Sequence, residues 1–168
     1  STPVDYEAIL KILGIGPDEP PPDMSAYDGS IVEMLSEYYA PPGTYNDMFP
    51  VHALTSASIE HMEKKSGETF ELQRIRPNFL IDTSPGIEGL VEFEWLGKTL
   101  GVGECRFKIQ AKTIRCSMPS RGQQPYGLPQ NARIAKSLFA ETQRFLGAYL
   151  AVVQTGRVSV GDDVVLLD

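Results

Sequence analysis

The sequence has few of the features that specialised scaffolds and membrane proteins need. Its 168 residues include two cysteines and two histidines. No apolar run approaches the roughly 20 residues that span a bilayer as a helix. So few cysteines argue against a disulfide scaffold and favour free thiols in a reducing compartment. The chain begins S-T-P-V-D-Y-E, without an initiator Met or a secretory signal. This start is compatible with a piece of a longer protein. We therefore expect a cytoplasmic protein that does not enter a membrane.

Common catalytic motifs are also missing. The sequence contains no G-x-G-x-x-G, no Walker-type loop and no G-x-S-x-G, so no nucleotide, flavin or serine-hydrolase site is predicted. His52 and His61 lack the neighbouring carboxylates or cysteines of a zinc site. His52 could form a thiol–imidazole pair with Cys116, but the sequence alone does not bring the two together.

Charge is distributed unevenly along the chain. The net charge is −7, with 13 acidic and 3 basic residues in 1–71, and 9 acidic and 12 basic residues in 72–168. An acidic protein lacks the broad basic surface that nucleic-acid binding requires, so no nucleic-acid partner is expected. A local basic site for a small anion is still compatible with this composition. Segment 98–121 has six basic residues and one acidic residue: Lys98, Arg106, Lys108, Lys112, Arg115 and Arg121 against Glu104.

The pattern predicts a helical N-terminal extension followed by a mixed α/β domain. Residues 1–43 contain predicted helices over 4–13 and 30–39, with the Pro-rich linker P-D-E-P-P-P-D between them. Residues 44–168 are predicted to form the main domain, packed with the extension as one globular unit. Many short strands with inserted helices indicate a β-barrel or a strongly curved mixed sheet.

Individual elements of this domain follow from local patterns. A strand over 50–54 leads into a helix that begins near Thr55 to Ser58 and ends at Gly67. Strands are predicted at 78–83, 90–96 and 105–110, with a turn over 100–104. A helix capped by Asn131 is expected to stop at Gly147, and two or three strands close the chain.

Cys116 lies in the stretch T-I-R-C-S-M-P-S-R, between two arginines. Fixed positive charge favours the thiolate, which attacks electrophiles and binds soft metals. A Cys105–Cys116 disulfide is the alternative. The alternation of C-R-F-K-I-Q-A-K argues against it, because Cys116 falls on the opposite parity from Cys105. Either Cys116 faces the other way, or a bulge resets the strand.

Two further groups could bind an anion. Thr55, Ser56 and Ser58 crowd a helix N-terminus, where free N–H groups and the helix dipole favour negative charge. Simple helix capping explains the same hydroxyls. In R-I-R-P-N-F, Pro77 keeps Arg76 out of the helical region, so Arg76 is expected to be extended and able to grip a phosphate or carboxylate. A surface salt bridge is the alternative.

Six segments, in order, resemble the MOSC domain, the C-terminal domain of molybdenum cofactor sulfurase that also occurs in the mitochondrial amidoxime reducing component. The resemblance covers roughly residues 44–168. Its segments are P-V-H-A-L-T-S-A-S-I, R-I-R-P-N-F-L-I-D-T, W-L-G-K-T-L-G-V-G, R-C, F-L-G-A-Y-L and G-R-V-S-V-G-D-D-V-V-L. It implies a β-barrel-like α/β fold, a molybdenum cofactor (Mo-molybdopterin) and the family's association with pyridoxal phosphate proteins.

The resemblance also implies roles for individual residues. Cys116 would be the catalytic residue and the molybdenum ligand. The pyranopterin and its phosphate end would contact six residues: Thr55, Ser56, Ser58, Arg76, Asn78 and Arg115. Such an enzyme would reduce a small N-hydroxylated or N-oxide substrate by two electrons supplied by a separate protein.

The segment after Arg-Cys departs from the reductase members. They have a Thr-Thr-Val-Asp-Pro type segment, whereas this chain has S-M-P-S-R-G-Q-Q-P. Two other functions therefore stay open. One is a carrier that takes sulfur from a donor protein onto Cys116, and the other is a non-catalytic module that binds an anionic ligand or a partner protein.

Overall fold

In the computed structural model, residues 49–167 are described. Residues from Phe49 onwards form one compact unit. The helices predicted over 4–13 and 30–39, and the linker between them, lie outside the described residues. The proposed domain boundary at 43–44 therefore stays a prediction. Along the part of the chain that is described, no helix has the length and apolar character needed to cross a membrane.

The described chain forms six strands and three α-helices. The strands are β1 (Val51–Thr55), β2 (Phe79–Ile81), β3 (Thr99–Val102), β4 (Cys105–Ile114), β5 (Phe145–Gln154) and β6 (Val164–Leu167). The α-helices are α1 (Ser56–Ser66), α2 (Leu72–Ile75) and α3 (Ala132–Thr142), and short 3-10 turns cover Val91–Trp95, Met118–Ser120 and Gln124–Tyr126.

All six strands join one strongly curled half-barrel sheet in the order β2-β1-β5-β4-β3-β6. Only the β1–β2 pair is parallel, and the other neighbours are antiparallel. The predicted mixed α/β fold with a strongly curved sheet and inserted helices is confirmed.

The buried apolar residues form two clusters. The first joins the strands across the sheet and contains Ala53, Ile81, Leu100, Val102, Cys105, Phe107, Ile109, Ala148 and Leu150. The second joins β1 and β5 to the three helices through Leu54, Met62, Phe70, Ile75, Ile134, Leu138 and Leu146. Neighbouring residues of β1 enter different clusters because side chains alternate along a strand. The helices are thereby fixed at the end of the sheet where β4 leads to Cys116.

A bulge in β5 changes this alternation. Lys112 of β4 pairs with Ala148 and Ile114 pairs with Phe145, so Leu146 and Gly147 lie opposite the single residue Thr113. Gly147 has φ +89°, a conformation that glycine adopts readily. A further register shift lies between Ile109 and Ala111. Of the two alternatives for Cys116, a bulge between Cys105 and Cys116 is therefore present, and Cys116 lies beyond the end of β4.

Several predicted elements are confirmed. β1 runs into α1, Thr55 caps that helix through the Ser58 amide, and Gly67 ends it in the left-handed conformation. β2 lies within the predicted 78–83 strand. Asn131 caps α3 through the amide of Arg133.

Three element predictions are wrong. Residues 91–95 form a 3-10 turn instead of a strand, because Glu92 turns inward to bond Thr55 and Ser58. Segment 100–104 is mostly β3, and its turn is confined to Gly103 and Glu104. Helix α3 ends at Gln143, before Gly147, which is the bulge residue of β5.

Candidate functional site

Cys116 is exposed just beyond the end of β4. Cys105 and Cys116 are both free thiols, so the alternative of a disulfide between them is not supported. The Sγ atom of Cys116 accepts a contact from the backbone N–H of Met118 at 3.4 Å. The thiol lines a small pocket of about 90 Å³ with five other residues: Arg115, Ser117, Ala135, Leu138 and Arg144. Two arginines thus share a pocket with the exposed thiol.

Arg115 connects this pocket to the helices and to β1. Its backbone N–H donates to the carbonyl of Arg144 at 2.7 Å. Its buried guanidinium donates from Nη2 to the carbonyl of Ile75 at 2.5 Å, and Nη1 lies 3.5 Å from Nδ1 of His52. The residue before the cysteine is therefore fixed at both its main chain and its side chain. His52 lies in this network through Arg115.

Asn78 joins the starts of β1 and β2. Its backbone N–H donates to the carbonyl of His52 at 2.8 Å, and its Oδ1 atom accepts from the N–H of His52 at 2.8 Å. The side chain therefore has a structural contact within the sheet. Its role at a cofactor, implied by the family resemblance, stays a prediction.

Arg76 is exposed and ends α2 in the left-handed conformation, at φ 57° and ψ 51°. The prediction that Arg76 is extended is wrong. Pro77 disfavours the right-handed helical conformation at the preceding residue, and the left-handed cap lets the Arg76 N–H donate to the Leu72 carbonyl at 2.6 Å.

The hydroxyl groups at the start of α1 bond to other side chains of the protein. Thr55 and Ser58 are fully buried, and both donate to Oε2 of Glu92, at 2.8 and 2.5 Å. Ser56 bonds to the hydroxyl and the backbone N–H of Thr83, each at 3.0 Å. The capping interpretation of Thr55 is confirmed. The carboxylate of Glu92 also lies where an outside anion would meet this helix end.

Burial raises the pKa of Glu92 above its ordinary value of 4.5. Hydrogen bonds from Ser58, from the backbone N–H of Glu92, from Thr55 and from the backbone N–H of Gly147 lower it again, without cancelling the effect of burial. The protein therefore holds a desolvated carboxyl group at a helix start.

We expect Glu92→Gln to flatten the dependence of stability on pH. With a raised pKa, folded Glu92 keeps its proton at pH values where the unfolded chain has lost it. Its contribution to stability is therefore complete below an ordinary pKa of 4.5 and is lost as pH rises through the folded-state pKa. The free energy of unfolding in urea, measured from about pH 4 to about pH 8, should fall less steeply in the variant.

Glu94→Gln is the matched control for this measurement, because Glu94 lies in the same 3-10 turn and is exposed. It should keep the slope of the wild type. If Glu92→Gln and Glu94→Gln both keep that slope, the assignment of the pH dependence to Glu92 is wrong.

A second, larger depression lies on the surface of α1. It measures about 370 Å³ and is lined by Glu60, His61, Lys64, Lys65 and Glu88. Its acidic and basic groups are mixed, and it contains none of the predicted site residues.

Within residues 49–167, no cluster of three or more His, Cys, Asp or Glu side chains is arranged to hold a metal ion. The pocket beside Cys116 is therefore the better candidate for chemistry.

Two residues of this region escaped the sequence-based prediction. Arg74 is the buried arginine of R-I-R, although Arg76 was expected to be the functional one. Glu92 lies inside V-E-F-E-W, part of the segment that was predicted to be a strand. The hydroxyl groups that bond Glu92 and the loop carbonyls that accept from Arg74 lie 34 to 55 residues away along the chain, so local patterns do not reveal these contacts.

Comparisons with known proteins agree with the fold. The structure is similar to the YuaD protein of Bacillus subtilis, with 16% identity and a TM-score of 0.52, over 68% of this chain and 61% of that one. It is also similar to YiiM of Geobacillus stearothermophilus, with 20% identity and a TM-score of 0.49, over 70% of this chain and 54% of that one.

This chain thus spans between about half and three fifths of the two solved structures. A search of curated proteins gave no match. The sequence model of the MOSC domain matches residues 41–165, about three quarters of the chain and all of the elements that surround Cys116. The protein therefore belongs to the MOSC domain family, which is associated with molybdenum cofactor binding.

Proposed function

We propose that the protein is a cysteine-based sulfur carrier, in which Cys116 takes up sulfane sulfur from a persulfide donor. The observation that carries the proposal is the exposed, free thiol in a small pocket with Arg115 and Arg144. Two of the lining residues are arginines, so the pocket beside the thiol carries positive charge. Exposure lets a donor approach the sulfur atom, and a pocket of about 90 Å³ has room for one small sulfur group.

Sulfur transfer needs only the donor persulfide and the Cys116 thiolate. The Cys116 thiolate attacks the terminal sulfur of the donor persulfide, and a new S–S bond forms as the donor's S–S bond breaks. The donor leaves as a thiolate, and Cys116 carries the persulfide. No outside oxidant or reductant is needed, because the sulfane sulfur is transferred without net redox change. An acceptor thiolate receives the sulfur by the same reaction.

The residues around α1 do not fit the phosphate end of a pyranopterin cofactor. The Thr55 and Ser58 hydroxyls already donate to Glu92, and Ser56 bonds to Thr83. The fully buried carboxyl group of Glu92 beside them accepts these donors, so they are not available to a phosphate. The two-electron reductase with a separate electron donor is therefore the alternative function that the experiment below distinguishes from the carrier.

The proposal is tested on protein produced in a host that makes the molybdenum cofactor. The protein is incubated with a low-molecular-weight persulfide and desalted, and sulfane sulfur is then released as thiocyanate by cyanide. We expect about one equivalent of thiocyanate per chain, because one of the two thiols is exposed. Molybdenum and pterin are measured on the same sample.

Each outcome supports one function. Sulfane sulfur near one equivalent supports the carrier. Stoichiometric molybdenum and pterin without sulfur uptake would replace the carrier with the reductase. If sulfur, molybdenum and pterin are all absent, the protein is a binding module and the carrier proposal is wrong.

A further inference from the structure

We propose that Arg74 is a positioning residue that holds the loop after Cys116 so that the thiol faces Arg115 and Arg144. The inference deepens the proposed function, because it concerns the same thiol and the groups that surround it. It rests on hydrogen bonds between α2 and the chain on both sides of the cysteine.

The guanidinium of Arg74 binds three carbonyl groups of the following loop. Its Nη1 atom donates to the carbonyls of Pro119 at 3.3 Å and Arg121 at 3.1 Å, and Nη2 donates to that of Pro129 at 2.8 Å. These acceptors lie 45 to 55 residues away along the chain. One planar group therefore fixes three points of the loop that runs from Cys116 to α3.

Burial makes these contacts specific. Arg74 is 2% exposed, and its Nε atom donates to the carboxylate of Glu71 at 2.7 Å. A buried charge that lost these partners would be costly, so the loop carbonyls and the guanidinium hold each other in place. Pro119, the first loop residue that Arg74 contacts, is buried as well.

The neighbouring residue of α2 fixes the chain on the other side of the cysteine. The carbonyl of Ile75 accepts from Arg115. Helix α2 thus binds the residue before Cys116 through Ile75, and the residues after it through Arg74. Segment R-I-R therefore supports the cysteine loop from both sides, which differs from the anion grip expected at Arg76.

The test compares two alkylating reagents on the folded protein. Iodoacetate is anionic and iodoacetamide is neutral, so the ratio of their rate constants at Cys116 reports positive charge near the thiol. This ratio does not depend on sulfur transfer, and loss of global stability alone would not lower it. Mass mapping of the alkylated peptide separates Cys116 from the buried Cys105.

We expect Arg74→Met to lower the iodoacetate-to-iodoacetamide ratio by about fivefold at low salt, the effect of one charge a few ångström away in water. Amide hydrogen exchange should rise in residues 117–131 and stay unchanged in β1 and β5. Arg106→Met is the matched control. Arg106 also donates to backbone carbonyls, those of Gly103 and Cys105, but at the start of β4. It should keep the wild-type ratio.

An unchanged ratio in folded Arg74→Met would overturn the proposal. If that variant does not fold, Arg74→Lys decides, because its ammonium keeps the charge but cannot span three carbonyls. A ratio at least twofold below wild type supports positioning, and a wild-type ratio overturns it. The wild-type protein could fail to take up sulfur while the Arg74 variant still shows the expected fall in the iodoacetate-to-iodoacetamide ratio. That result would reject the carrier function and leave the positioning role of Arg74 intact.

Discussion

Gly147→Ala is expected to destabilise the protein by about 3–5 kcal/mol, because it combines a strained backbone with a steric clash. Gly147 has φ +89°, and a Cβ atom there would overlap Nε2 of His52 and lie 2.7 Å from the carbonyl of Ala53. Neither neighbour moves easily, since one is the backbone of β1 and the other is a buried ring. A loss of this size is a large fraction of a typical total stability of about 5–15 kcal/mol. Urea unfolding measures it directly.

Gly86→Ala separates the two contributions. Gly86 has nearly the same backbone angle, φ +88°, but no heavy atom lies within 4 Å of the place that an alanine methyl group would take. Its replacement should therefore show the backbone cost alone, about 1–2 kcal/mol. Equal losses in Gly147→Ala and Gly86→Ala would mean that β1 and β5 are not packed closely at the bulge.

Cys116→Ser should abolish sulfur uptake while leaving the free energy of unfolding within about 0.5 kcal/mol of wild type, as for other exposed substitutions. Cys105→Ser should instead lower the free energy of unfolding and leave sulfur uptake unchanged. Cys105 is 6% exposed and belongs to the apolar cluster within the sheet, so a hydroxyl there should cost about 1–3 kcal/mol. Sulfur uptake should survive this change.

The two cysteine variants are compared by cyanide release of sulfane sulfur and by urea unfolding. Residual uptake in Cys116→Ser at the wild-type level would move the carrier function to another group. Loss of uptake in a folded Cys105→Ser protein would also contradict the account, because that thiol is buried away from the pocket.

Local signals predicted the elements whose partners are near in sequence. Helix α1 begins after Thr55 and ends at Gly67 as expected, because capping depends on residues within one turn of the helix end. The same reasoning placed Asn131 at the start of α3. Arg115 and Cys116 are adjacent in sequence, and the two residues line one pocket.

Contacts between distant segments decided the elements that sequence reasoning missed. Residues 91–95 alternate like a strand, but Glu92 turns inward because Thr55 and Ser58, more than 30 residues earlier, provide hydrogen-bond donors. Gly147 looked like a helix stop, yet its positive φ serves a bulge opposite Thr113. Tertiary partners overrode local propensity in both cases.

In the candidate site, too, local features could be predicted from the sequence and contacts between distant segments could not. Sequence reasoning identified an anion-favouring helix start, but it could not foresee that Glu92 supplies the hydrogen-bond acceptor from within the protein. It also chose Arg76 over Arg74, although Arg74 is the arginine whose side chain meets the cysteine loop. Which of two arginines turns inward depends on α2, a helix of four residues without a cap signal.

Mass mapping of sulfur on the protein tests the central claim most directly. Wild-type protein is treated with a low-molecular-weight persulfide, alkylated, digested and analysed by mass spectrometry. We expect the peptide containing Cys116 to gain the mass of one sulfur atom that reduction removes, and the peptide containing Cys105 to be unchanged. A Cys116 peptide that never gains this mass, in protein whose Cys116 is freely alkylated, would contradict it.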